Sequence, residues 1–247
     1  MAQVVLLLIG LAFKDEKNHS VFPLSPIEIL WANLITSSPL ALGLGLEEAA
    51  PDILQRPPRS LKSGVFTIDL VRDQLVYGLC MGTMCLMTFM LTAYAASGQG
   101  FHDLPVGCNE SGGEGCGAVF RSRAATFSTL SFLLLVTSWE VKHFHRSLFA
   151  MDERFKGPFS VFRTVYQNRF LFWAVVGGFV MTFPIVYIPY LNFEVFKHRG
   201  LGWEWGVVAG SVVLYIALIE AWKATKRAFG WGVDRYPSGL ATNTSQV

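Results

Sequence analysis

Residues 27–59 read IEILWANLITSSPLALGLGLEEAAPDILQRPPR, and the fold turns on how this stretch is parsed. An apolar segment of helix length carries Asn33, Thr36, Ser37 and Ser38 in its middle, meets Pro39, and loosens through Gly43 and Gly45 into a loop that is first acidic, then basic and proline-rich. A helix satisfies its own backbone inside hydrocarbon, so the apolar part reads as a membrane helix. Polar side chains at that depth are costly and persist where they face a cavity or a partner. Pro39 has no N–H to donate, which predicts a broken helix with carbonyls freed near Ile35 and Thr36, the kind of oxygen an ion site uses. At α-helical spacing Asn33, Thr36 and Ser37 stand at i, i+3 and i+4 and share a face. The plain alternative is that these side chains only join packed helices.

The rest of the chain agrees with a membrane protein. It is 52% hydrophobic and only 15% charged. Six apolar segments follow one another, at about 2–13, 26–46, 75–96, 124–141, 170–190 and 203–222. All but the first approach the roughly 20 residues needed to cross a bilayer. The first lacks the basic leader and small-residue cleavage site of a signal peptide and reads as the second half of a helix. The expected fold is therefore all-α, a polytopic bundle of about five full membrane helices plus an N-terminal half helix. The net charge of +2 includes no basic stripe away from the membrane edges, so no nucleic-acid partner is expected.

Orientation follows from the basic residues. If 47–72, 142–169 and the tail from Lys223 share a side, that side holds fourteen Lys and Arg against six on the other. The positive-inside rule then puts the fourteen, and the C-terminus, in the cytosol. Cys108 and Cys116 flank the loop CNESGGEGC on the opposite, oxidising side, where a disulfide is permitted. Asn109 begins a glycosylation sequon in the same loop. Cys80 and Cys85 lie inside an apolar segment and read as packing. His143 and His145 read as a wet membrane edge rather than a metal site.

With those residues in view, the chain resembles the P-type cation pumps. LWANLIT at 30–36 followed by LGLGLEEAAPDILQRPPR at 42–59 is similar to their sixth membrane helix and the cytosolic loop after it. LSPIEILW at 24–31, FRSR at 120–123, WEV at 139–141 and FPIVYIP at 183–189 resemble the fungal sodium- and potassium-exporting type most closely. The resemblance implies that residues 1–247 form the last part of such a pump, from midway along its fifth helix, with a cytosolic tail at 223–247.

The same resemblance implies a cation transport site. Asn33 and Thr36 match asparagine and threonine ligands of the sixth helix, and Ser37 stands where calcium pumps carry an aspartate. Gln3 lines up with a glutamate ligand of the fifth helix, and Glu140 with the acidic ligand of the eighth. Two lost carboxylates weaken the hold on a divalent ion most, which suits sodium or potassium. Each position keeps a plainer reading: Gln3 as a chain terminus, Glu140 snorkelling to the interface or pairing with Lys142, Glu220 as an interfacial residue. The loop residues Arg56, Pro57, Pro58 and Arg59 would lie beneath the phosphorylation domain and couple it to the helices.

The chain contains no DKTGT motif, nucleotide-binding domain or TGES-type loop. Without the aspartate that forms the phosphorylated intermediate, it is expected not to hydrolyse ATP alone. No cofactor is expected here; the parent pump would use ATP and Mg2+. Its implied partners are membrane lipid, Na+ or K+, and the missing N-terminal part of the pump, in the plasma membrane. Two other readings stay open, a calcium-pump fragment and a membrane scaffold or regulator descended from such a pump.

Overall fold

The computed structural model describes residues 1–13, 20–47, 67–97, 108, 116–142 and 165–231. Ser25 starts the first spanning element. Its hydroxyl accepts the Glu28 N–H, the Glu28 carboxylate accepts the Ser25 N–H, and Pro26 takes the first helical position. Helix α2 (Pro26–Trp31) then passes through a π-helical turn, π1 (Ala32–Ser37), into α3 (Ser38–Gly45).

The break expected at Pro39 is thus replaced by a wide turn just before it. Pro39 falls in the first turn of α3, where a missing N–H costs least. The Ser37 hydroxyl donates to the Ala32 carbonyl at 2.9 Å and the Ser38 hydroxyl to the Asn33 carbonyl at 3.0 Å. Nor does the chain loosen at Gly43. A side chain there would meet the Leu171 backbone at 3.1 Å, so the glycine lets two helices approach closely.

The other helices are α1 (Ala2–Gly10), α4 (Ile68–Ser97), α5 (Gly117–Glu140), α6 (Arg169–Tyr187) and α7 (Glu204–Phe229), with a second π-helical turn, π2 (Tyr190–Val195), after α6. Among the described residues five elements are long and apolar enough to span a membrane: Pro26–Gly45, α4, α5, α6 and α7. The chain is all-α, with no strand among the described residues. At nine residues α1 is too short to span, and it packs on α4 where Gly82 leaves room for the Ala2 carbonyl.

Helix α5 is the central post. Of its most apolar window 89% is buried, against 28% for the Pro26–Gly45 span and α6, and 17% for α7. It tolerates that position because its hydroxyls bond its own backbone: Ser122 to the Ala118 carbonyl, Thr126 to Ser122, Ser128 to Ala124. Others reach sideways. Thr137 and Tyr215 share a hydrogen bond of 2.7 Å, and Thr129 and Ser211 both meet Thr88.

Polar ties collect at the two ends of the bundle. One end holds the Cys108–Cys116 disulfide, with Arg123 donating to the Phe22 and Cys108 carbonyls and Glu28 paired with His198. The other end holds Glu47, Asp73, Glu140, Lys142, Asn168, Lys223 and Lys226. Helix α7 runs past the end expected at Trp222 and closes at Gly230, whose φ of 64° supplies the left-handed cap. Residues 223–229, expected to open a tail, are therefore the last turns of α7.

Candidate cation site

Gln3 and Asn33 meet across two elements. The Asn33 amide Nδ2 donates to Gln3 Oε1 at 3.1 Å, joining α1 to π1. The bond uses one Asn33 donor and leaves its Oδ1 to accept or to ligate. Beside it, Ser37 donates its proton to the Ala32 carbonyl, which leaves the hydroxyl oxygen able to accept or to ligate. The cluster is neutral throughout.

Thr36 does not share that face. The π turn advances roughly 80° per residue against about 100° in an α-helix, so i+4 nearly returns to the start while i+3 falls roughly a third of a turn short. Asn33 is accordingly exposed, Ser37 half-buried, and Thr36 buried at 6%. The α-helical spacing placed all three together; the π turn keeps Asn33 with Ser37 and rotates Thr36 into the bundle.

Glu140 stands in a second cluster. It is fully buried, and its Oε2 is paired with the Lys223 ammonium, which is also fully buried and donates to the Glu140 carbonyl at 3.0 Å. Lys142, the partner suggested by nearness in sequence, instead reaches Glu47 at 2.9 Å. Among the described residues no hydrogen bond joins Glu140 to Gln3, Asn33, Thr36 or Ser37. Glu140 Oε1 and the Tyr77 hydroxyl are buried without a hydrogen-bond partner among those residues. One turn further along, the Lys226 ammonium contacts both Asp73 oxygens at 2.8 and 2.9 Å, and the Trp222 indole N–H donates to Asp73 at 2.9 Å.

Sequence reasoning missed Lys223, Lys226 and Asp73 as interior residues. A signal for the lysines existed. Val208, Ser211, Tyr215, Ile219, Lys223 and Lys226 are the buried stripe of α7, spaced at three or four, and the stripe continues through both lysines. The residues Arg56, Pro57, Pro58 and Arg59, both histidines 143 and 145, and the Asn109 sequon lie outside the described residues.

Comparison with known proteins agrees with this architecture. The family described as "Cation transporting ATPase, C-terminus" matches residues 21–225. The chain is 43% identical over 231 residues to the sodium/potassium exporting P-type ATPase cta3 of Schizosaccharomyces pombe, covering 92% of this chain and 22% of that protein. It is 41% identical over 231 residues to sodium/potassium exporting P-type ATPase 1 of Saccharomyces cerevisiae, covering 93% and 21%. Calcium-transporting ATPase 1 of Bacillus cereus is 27% identical over 207 residues, covering 83% and 21%. The chain thus spans about a fifth of the length of these relatives. With a family match across residues 21–225, the chain belongs to the cation-transporting P-type ATPases and corresponds to their C-terminal membrane region.

Proposed function

We propose that this chain is the ion-binding membrane part of an ATP-driven pump that exports a monovalent cation, sodium or potassium. The observation that carries the reading is the Gln3–Asn33 hydrogen bond, which brings two positions expected as ligands together across α1 and π1. Gln3, Asn33 and Ser37 supply neutral oxygens to the site, while the π turn sets Thr36 apart from them. Hard cations take oxygen ligands, and a site with no carboxylate favours a single charge over a double one. The 41–43% identity to fungal sodium/potassium exporters over more than nine-tenths of the chain is in keeping with a monovalent ion. Phosphorylation by ATP with Mg2+ belongs to the remainder of the pump, which is this chain's partner in the plasma membrane together with lipid. The C-terminus lies in the cytosol.

The test uses a complete pump carrying this segment, with sodium-dependent phosphorylation as the readout. Asn33→Ala and Gln3→Ala should each raise the sodium concentration for half-maximal phosphorylation, and the double variant should exceed neither sum. Sodium dependence within twofold of the unmodified pump in all three would make the cluster a packing contact and overturn the reading.

A further inference from the structure

The Glu140–Lys223 pair is more deeply buried than two other lysine–carboxylate pairs of the bundle, Lys142–Glu47 and Lys226–Asp73. Lys142 meets a Glu47 that is 35% exposed, whereas Glu140 and Lys223 are both 0% exposed. Taking two ions out of water is expensive, and the attraction between them seldom recovers more than that cost. A pair kept under such conditions invites a reason other than stability.

Its geometry suggests one. The Lys223 ammonium is held by two oxygens of one residue, the Glu140 carbonyl and Oε2. An ammonium has three donors and no acceptor, so it sits among oxygens much as a small monovalent cation does. Two further oxygens, Glu140 Oε1 and the Tyr77 hydroxyl, are buried with no hydrogen-bond partner among the described residues. Tyr77 is within electrostatic range of Glu140. It also precedes Gly78, against which Met1 packs, two residues from Gln3. Tyr77 and Gly78 on α4 thus stand between the Glu140 carboxylate and the start of α1 as shared neighbours.

We infer that Lys223 is a resident cation: its ammonium fills the position at Glu140 that a transported ion would otherwise take, and so limits this pump to the ions held at Gln3, Asn33 and Ser37. The inference deepens the proposed transport function and rests on it for the meaning of the site. A tethered ammonium neutralises Glu140 without exchanging, so the carboxylate adds no ion to the load. It also removes a buried negative charge that would favour a divalent ion. Lys223 is in this sense a specificity-determining residue on α7, remote in sequence from every residue it acts through.

The experiment compares variants of a complete pump carrying this segment, purified in detergent, by direct sodium binding per protein and by the thermal shift that added sodium, potassium or calcium produces. Lys223→Met should gain one bound ion over the unmodified pump, together with a cation-dependent thermal shift larger than the unmodified pump shows. Lys223→Arg should behave as the unmodified protein. Glu140→Gln combined with Lys223→Met, a neutral exchange of similar shape, should bind as many ions as the unmodified protein. The inference is overturned if folded Lys223→Met gains no ion, or if the combined variant binds fewer ions than the unmodified pump. Should Lys223→Met fail to fold, Lys223→Gln, which keeps a polar group in the cavity, takes its place: it should gain the same ion, and a folded Lys223→Gln that gains none overturns the inference. Because each readout is a difference from the unmodified protein, an unmodified pump that binds no sodium at Asn33 would sink the proposed site without altering this comparison.

Discussion

Asn168 Nδ2 lies 2.7 Å from the Gly43 carbonyl oxygen, so a side chain at the start of α6 closes the end of α3. The same amide group donates to Glu47 at 2.8 Å, and its Oδ1 accepts the Leu171 N–H at 3.0 Å as the cap of α6. One buried residue thus caps the start of α6 and adds a donor to the Gly43 carbonyl and to the Glu47 carboxylate. Asn168→Ala should therefore cost more than an ordinary cap, about 2 kcal/mol or above, because two further hydrogen bonds are lost with the cap. Thermal unfolding of the purified pump in detergent measures it; a loss within the range of surface substitutions would show that water replaces the amide.

Gly43 tests the same junction from the other side. A Cβ there would stand 2.9 Å from Leu171 Cδ1 and 3.1 Å from the Leu171 backbone, and the backbone has little freedom to give. Gly43→Ala should destabilise by about 1–3 kcal/mol as an overpacked contact. Adding Leu171→Ala to it should relieve the side-chain part and leave the backbone part. Equal stability of Gly43→Ala and the unmodified protein would place α3 and α6 further apart than described.

At the cytosolic end by the charge bias, Lys226 spans both oxygens of Asp73, with the two side chains only 5% and 8% exposed. Removing one member of a buried pair strands the other, at about 3–5 kcal/mol. Asp73→Leu should show that loss, and Asp73→Leu with Lys226→Met should recover most of it. A double-mutant cycle on thermal unfolding gives the coupling directly. If the double variant were no better than the single, the pair would matter through the Trp222 indole rather than through charge.

How much of this was readable beforehand depended on distance along the chain. The apolar runs gave the spanning helices, because hydrocarbon demands them locally. The π turn was not readable, since Ala32–Ser37 carries the same residues whichever turn they adopt, and only that turn separates Thr36 from Asn33. Pairs such as Glu28 with His198 and Asn168 with Gly43 join residues 170 and 125 positions apart, and no local pattern encodes the partner. Lys223 was lost differently. A lysine following an apolar run reads as the end of a span, although the spacing from Tyr215 through Ile219 placed it on the buried stripe.

The orientation has its own test. Cys108 and Cys116 are disulfide-bonded at the end of the bundle opposite Glu47, Asp73 and Lys223. With the C-terminus cytosolic, a membrane-impermeant thiol reagent added outside intact cells should label both after reduction. Cys85 is buried and Cys80 half-buried within α4, so a Cys108→Ser/Cys116→Ser variant should lose the signal. Labelling obtained only from the cytosolic side would invert the protein.

Ser37 offers the sharpest check on ion choice. It shares with Asn33 the face that the π turn keeps together, and its oxygen is neutral. A carboxylate there adds one charge to a site that otherwise has none, while Lys223 keeps Glu140 occupied. Ser37→Asp should therefore raise affinity for calcium relative to sodium. A charge-assisted contact contributes about 1.5–3 kcal/mol, or roughly ten- to a hundredfold in the ratio of half-saturating concentrations. Ser37→Asn, isosteric with that aspartate but uncharged, should leave the ratio near that of the unmodified pump, which separates charge from shape. Calcium-dependent phosphorylation unchanged in Ser37→Asp would place Ser37 off the ion path and return the cluster to helix packing.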